Sequence, residues 1–179
     1  FRVPLYGFDQ WSKLFTPRQL LALGVLVNST RKCREAMKAV SYFDEWAEAI
    51  CAYLAVALDR TANYMSSLCI WENVAGEVKQ TFLRFALPIT WDFGEANPLS
   101  EADRYYNGAV SNVVRVLRSL LPAVHSVPAP SILMESAIAV KDDQYDLIVT
   151  DPPYYDAIPY SDLMDFFYIW LRRTLSGVS

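Results

Sequence analysis

Residues 147–154 constrain this chain more than any other stretch. Leu147-Ile148-Val149 is apolar at three successive positions, the pattern of a strand buried on both faces of a parallel sheet. The run stops at Thr150-Asp151-Pro152-Pro153-Tyr154. In open α/β sheets the ligand crevice lies beyond the carboxyl ends of the strands. The run therefore predicts an α/β fold with Asp151, Pro152, Pro153 and Tyr154 where chemistry is done.

Each of these residue types has a physical use there. The Asp151 carboxylate accepts hydrogen bonds from an exocyclic amino group. Proline carries no N–H and fixes φ, so Pro152 and Pro153 make a stiff loop whose carbonyls point outward and accept from the same amine. Tyr154 offers a flat ring on which a base stacks, a contact worth about 1–3 kcal/mol. Such a set holds an –NH2 with its lone pair aimed at an electrophilic methyl group. Catalysis is then positioning and electrostatics, with no covalent enzyme intermediate. The plainer reading of the same tetrapeptide is a turn, because Asp-Pro and Pro-Pro punctuate loops.

Asp-Pro-Pro-Tyr after a strand resembles the catalytic motif of S-adenosylmethionine-dependent amino-methyltransferases acting on adenine or cytosine in DNA. The continuation from Tyr154-Tyr155-Asp156-Ala157-Ile158-Pro159-Tyr160-Ser161-Asp162 to Arg172-Arg173 is similar to the large prokaryotic adenine-specific DNA methylases of phage-defence loci. Trp11-Ser12-Lys13-Leu14-Phe15-Thr16-Pro17-Arg18-Gln19-Leu20 and Ala86-Leu87-Pro88-Ile89-Thr90-Trp91-Asp92-Phe93 resemble the same family. The resemblance implies a Rossmann-like class I methyltransferase sheet with a large, mainly helical insertion. It implies transfer of a methyl group from S-adenosylmethionine to the N6 amine of adenine, with Asp151, Pro152, Pro153 and Tyr154 catalytic. Tyr154, Tyr155, Asp156 and Tyr160 would shape the pocket for a base extruded from the duplex. DNA is the implied partner, with restriction or defence proteins beside it, in the cytoplasm. Cytosine N4 or RNA as acceptor, or a non-catalytic nucleic-acid-binding or assembly module, stay open as alternatives.

A Rossmann-like methyltransferase carries a glycine-rich turn after its first strand. The six glycines, at 7, 24, 76, 94, 108 and 177, include no Gly-x-Gly. The chain, which starts at Phe1, is therefore expected to be an internal piece holding half of an active site and to be inactive alone. One part of a cofactor pocket is expected: Ser131-Ile132-Leu133-Met134 reads as the preceding strand, with Glu135-Ser136-Ala137 as the turn at its end. The resemblance gives Ser136, with Asp151, a place against the cofactor, ahead of its neighbour Glu135. An ordinary solvated turn is the other reading of Ser136.

At 179 residues and 53% hydrophobic, the chain can build one core or slightly more. Residues 1–125 hold 13 Lys/Arg against 12 Asp/Glu, and residues 126–179 hold 3 against 8. Contacts to a nucleic-acid backbone should therefore come mainly from the first part. The cluster Arg31, Lys32, Arg34 and Lys38 is the candidate, a solvated helix face being the alternative. Three scattered cysteines and one histidine suggest no metal site. The longest apolar run, Ala49 to Leu58, is too short to span a bilayer.

Thr16-Pro17-Arg18-Gln19 predicts a helix start with a capping box and proline at the first helical position. A second helix is expected from Asp44 to about Met65, with Ser41 signalling its start. A third should cover Trp71 to Phe85, with Val78, Phe82 and Phe85 on its inner face. Trp91 to Pro98 reads as a loop anchored by Trp91 and Phe93, the lining of a target-base pocket or DNA groove being the other reading. A fourth helix, signalled by Ser100 and Asp103, should end near Leu121 before Pro122, and Ser161 should cap a last one. The layout expected is a helical module over residues 1–122 and a partial methyltransferase core over 123–179.

Overall fold

The computed structural model describes residues 3–83, 87, 90–101, 104–139, 145–152, 154 and 158–177. Four helices dominate: α1 (Pro17–Ala39), α2 (Asp44–Asn63), α3 (Tyr106–Val124) and α4 (Tyr160–Thr174). One hairpin, β1 (Trp71–Glu72) with β2 (Glu77–Val78), is the only sheet among the described residues. The expected Rossmann-like α/β sheet is therefore corrected: the described chain is mainly helical. Leu147, Ile148 and Val149 are 77%, 69% and 83% exposed, and Ser131–Met134 is exposed as well. Neither segment is a strand. A strand exists through its ladder to a neighbour, and among the described residues the one ladder lies elsewhere, at Trp71–Val78.

The helices follow from local chemistry. Thr16 caps α1: its Oγ1 accepts from Gln19 N–H, while Gln19 Oε1 accepts from Thr16 N–H at 2.8 Å. Pro17 takes the first helical position, where a missing N–H costs nothing. At the other end Ser41 stops α1. It takes a left-handed φ of 56°, and the Ser41 and Tyr42 amides donate back to Lys38 and Met37 carbonyls. Ser41 thus ends one helix and does not cap the next; α2 starts at Asp44 behind Phe43, with Asp44 and Glu45 in its first turn favouring the dipole.

The helix expected over Trp71 to Phe85 is replaced by the hairpin. Gly76, at φ 63°, takes a backbone conformation that side chains resist, and its N–H closes onto Glu72 C=O at 2.8 Å. Phe85 lies outside the described residues. Pairing sets Glu72 against Glu77, a repulsive cross-strand pair. Lys79 answers it by contacting both carboxylates, and Arg104 adds a second cation on Glu77. α3 runs through Pro122, which sits in its last turn, and Asp103, offered as part of its start signal, lies outside the described residues.

One core joins both ends of the chain. Leu14, Phe15, Leu23, Leu26, Val27, Leu58 and Met65 pack with Phe166 and Trp170 from α4. Phe166 is the centre. It is 1% exposed and meets Trp11, Phe15, Phe82 and Phe167 at ring-centroid distances of 5.7, 5.9, 4.9 and 5.1 Å. Most of these pairs are edge-to-face, the arrangement that the ring quadrupole favours. The aromatic segment before α1 is thus part of the core, through its one-turn 3-10 helix at Trp11–Leu14.

Candidate functional site

The best-held part of the site is the helix that follows the motif. α4 begins at Tyr160, after Pro159, so Ser161 is not its cap. Pro159 has φ −77° and ψ 71°, and Tyr160 N–H donates to Ile158 C=O at 2.9 Å. This is an inverse γ-turn, in which the proline ring already fixes φ. Leu163 N–H then donates to Pro159 C=O at 3.1 Å and opens the helix.

The far end of α4 is held by α1. Arg31 donates through Nη2 to Arg173 C=O, and Arg34 through Nη2 to Gly177 C=O. The Arg173 carbonyl, in the last turn of α4, belongs to the negative end of the helix dipole, which the Arg31 guanidinium complements; Gly177 lies just past the helix, so Arg34 holds the segment that leaves it. Arg34 also faces Glu48 of α2 at 3.8 Å. Lys38 pairs with Asp44 at the same distance. Of the cluster offered for phosphate binding, Arg31 and Arg34 are thus engaged within the fold and Lys32 is exposed.

Asp151 and Pro152 are exposed, and Tyr154 is exposed six residues before α4 begins. Pro153, Tyr155 and Asp156 lie outside the described residues. Tyr160, half exposed, opens α4, so its ring sits at the helix end nearest the motif. Ser136 is exposed and spent locally: its Oγ accepts from Ile138 N–H at 3.4 Å, and its carbonyl from Ala139 N–H at 2.9 Å. Ser136 and Asp151 do not by themselves form a cradle for S-adenosylmethionine. Both lie open to solvent, and the chain lacks the glycine-rich turn on which such a cofactor rests.

Two features escaped the reading of the sequence. The first is a pair of clefts along α4 on either side of Trp11. One, of about 260 Å³, is lined by Phe8, Asp9, Trp11, Asp162 and Asp165 among others. Lys13, 2.6 Å away, holds the Asp9 carboxyl below its ordinary range. The other, of about 360 Å³, is lined by Trp11, Phe15, Trp170 and Arg173 among others. The signal was the i, i+3 spacing of Asp162 and Asp165, which puts both on one side of α4. The second feature is Asp59, 8% exposed in α2, with an Oδ1 that finds no hydrogen-bond partner among the described residues. Burial pushes its carboxyl up to about 7.

The loop from Trp91 to Pro98 is pinned, but not by its aromatic residues. Trp91 is fully exposed and Phe93 lies at the surface. Glu95 does the work, accepting from Thr16 Oγ1 at 3.2 Å and Arg18 Nε at 2.7 Å. Its carboxylate therefore sits at the positive end of α1. Gly94 lies against β2, where an added Cβ would be 3.0 Å from Val78 Cγ2. Among the described residues, no helix is long and apolar enough to cross a membrane, and no cluster of three His, Cys, Asp or Glu is placed to hold a metal.

No family model matches the chain, and neither a curated protein nor a solved structure matches it.

Proposed function

We propose that this chain is the amine-holding part of an S-adenosylmethionine-dependent DNA methyltransferase that acts on the N6 amine of adenine. Asp151-Pro152-Pro153-Tyr154 carries the reading, together with the helix that follows it. The Asp151 carboxylate and the carbonyls around Pro152 accept the two N–H bonds of the amine, and Tyr154 stacks on the base. Withdrawing both protons into hydrogen bonds aims the nitrogen lone pair at the methyl donor, so the work is orientation. The donor's methyl group is the one part that S-adenosylmethionine supplies. The glycine-rich turn that would hold it belongs, in this reading, to polypeptide beyond these residues.

Two observations support the reading. Asp151 and Tyr154 are open to a substrate, and α4, which begins six residues after Tyr154, is held at its far end by Arg31 and packed into the core through Phe166. A reactive loop tied to a rigid helix is what precise positioning needs. Acceptor identity at cytosine N4 or in RNA falls within the same chemistry. The exposed run Leu147–Val149 favours a second reading, a non-catalytic binding or assembly module of a defence complex, because apolar surface of that kind marks interaction sites.

The test is transfer of labelled methyl from S-adenosylmethionine to duplex DNA by the protein that carries this chain with its glycine-rich turn. We expect transfer to adenine, and its loss in Asp151→Ala. Transfer to RNA or to cytosine would reassign the acceptor. A folded protein that does not bind the cofactor would give the module reading its support.

A further inference from the structure

Among the described residues, most positive charges are engaged within the fold. Lys13, Arg18, Lys38, Lys79 and Arg104 face carboxylates, and Arg31 and Arg34 hold the end of α4. Arg60 lies over the Tyr64 ring at 6.0 Å. Exposed Lys32 shares α1 with Glu35, one helical turn away, and exposed Arg172 and Arg173 share α4 with Asp162 and Asp165. α3 differs. It alone of the four helices contains no acidic residue, and no Asp or Glu occurs anywhere between Asp103 and Glu135. The whole chain holds 20 Asp and Glu in 179 residues, about one in nine, so this acid-free stretch is a marked departure from its composition.

Within that stretch α3 sorts its residues by face. Val110, Val113, Val114, Leu117, Leu120, Leu121 and Val124 recur at i, i+3, i+4 spacing and form one apolar stripe. Ser111, Asn112, Arg115 and Ser119 fall on the opposite side, with Arg118 at one margin and exposed Val116 at the other. Arg115 and Arg118 are both exposed. Asn112 Oδ1 accepts from Arg115 Nη2 at 2.5 Å, which orients the exposed guanidinium. The face thus offers hydroxyl and guanidinium donors, and among the described residues no carboxylate pairs with Arg115 or Arg118. Those are the groups that contact phosphate oxygens.

We propose that this polar face of α3 is the surface through which the chain grips the phosphate backbone of duplex DNA. The assignment of DNA as partner rests on the methyl-transfer reading; the surface itself rests on the charge pattern. It replaces the cluster at Arg31 and Arg34, whose cations already have work inside the fold. A lipid surface fits less well. A helix lying in a membrane interface snorkels its cations from the edges of its apolar stripe, whereas Arg115 points away from the stripe altogether.

The test is titration of a fluorescent duplex with the 179-residue chain, followed by anisotropy between about 50 and 200 mM salt. The wild-type chain should bind more weakly as salt rises. Arg115→Gln/Arg118→Gln should weaken binding on the order of tenfold or more, and reduce the slope of log K against log salt by about two. Ser119→Glu, which adds a carboxylate to the same face, should weaken it too, while Lys32→Gln should leave it unchanged. All four positions are exposed, so melting temperatures should stay constant. An unchanged slope in the double variant overturns the proposal. So does a wild-type chain that ignores DNA, or one that prefers phosphatidylserine vesicles. Asp151→Ala should keep the full salt slope. Arginine-dependent binding in a protein without methyl transfer would sink the catalytic reading and leave the surface standing.

Discussion

Two stretches of this molecule that carry large apolar side chains have opposite fates. In α4, Phe166 and Trp170 are buried among residues from the other end of the chain. In Leu147-Ile148-Val149, fewer than 20 residues before Phe166, every side chain is open. The difference is not hydrophobicity. A helix satisfies its own backbone and needs only a surface to lie on, and α1 and α2 provide one. An extended run cannot satisfy its backbone alone, so its burial waits on a neighbouring strand. Apolar sequence creates a demand for cover, and the secondary structure decides whether the same chain meets it.

That contrast can be broken by substitution. Phe166→Ala removes the ring that four other aromatic residues touch, and should cost about 3–5 kcal/mol in urea unfolding. Ile148→Ala, on a residue 69% exposed, should stay within about 0.5 kcal/mol. A loss above about 2 kcal/mol at Ile148 would mean that the run is covered in solution, and the comparison would fail.

The next largest effect separates the core from its own acid. Asp59 is buried with no partner for Oδ1 among the described residues, and its carboxyl is pushed from 3.8 up to about 7. The folded chain therefore keeps a proton that the unfolded chain has released between about pH 4 and 7. Stability from this group is present below the unfolded pKa and is lost as pH climbs through about 7. Asp59→Asn should match the wild type near pH 4 and exceed it at pH 8, by on the order of 2–4 kcal/mol. Unfolding free energies measured across that range decide it. Parallel curves for the two proteins would show that the carboxyl finds a partner in solution.

How much of this was legible in the sequence follows the same division. The α1 start was legible because a capping box is local chemistry, complete in four residues. The α2 start at Asp44 was read correctly from the wrong signal, since Ser41 belongs to the end of α1. The hairpin at Trp71–Val78 was missed because Phe82 and Val78 suggested a helical face, while Gly76 set a left-handed turn that periodicity does not register. The strands at 131–134 and 147–149 were misread because apolar runs state a need for cover and not its source. The motif residues Asp151 and Tyr154 were chosen on their chemistry, on a family resemblance and on their place after an expected strand, and of these the strand is absent. Arg31 and Arg34 carried a charge signal that fitted phosphates as well as a helix end, and only the position of α4 separates the two.

The smallest effect tests whether a loop without aromatic anchors is held by one carboxylate. Thr16 Oγ1 accepts from Gln19 N–H and donates to Glu95, so a single hydroxyl joins the α1 cap to the 91–98 loop. Thr16→Ala should cost about 1 kcal/mol, as an N-cap does. Glu95→Ala should cost less than about 1 kcal/mol, because the Arg18 pair is exposed and the dipole contribution is screened. If the hydroxyl couples the two, the double variant should lose less than the sum of the single losses, since Thr16→Ala already removes part of what Glu95 does. Strict additivity in that cycle would show that the loop rests on Ala96 and the close approach of Gly94 to Val78, and that Glu95 only decorates the helix end.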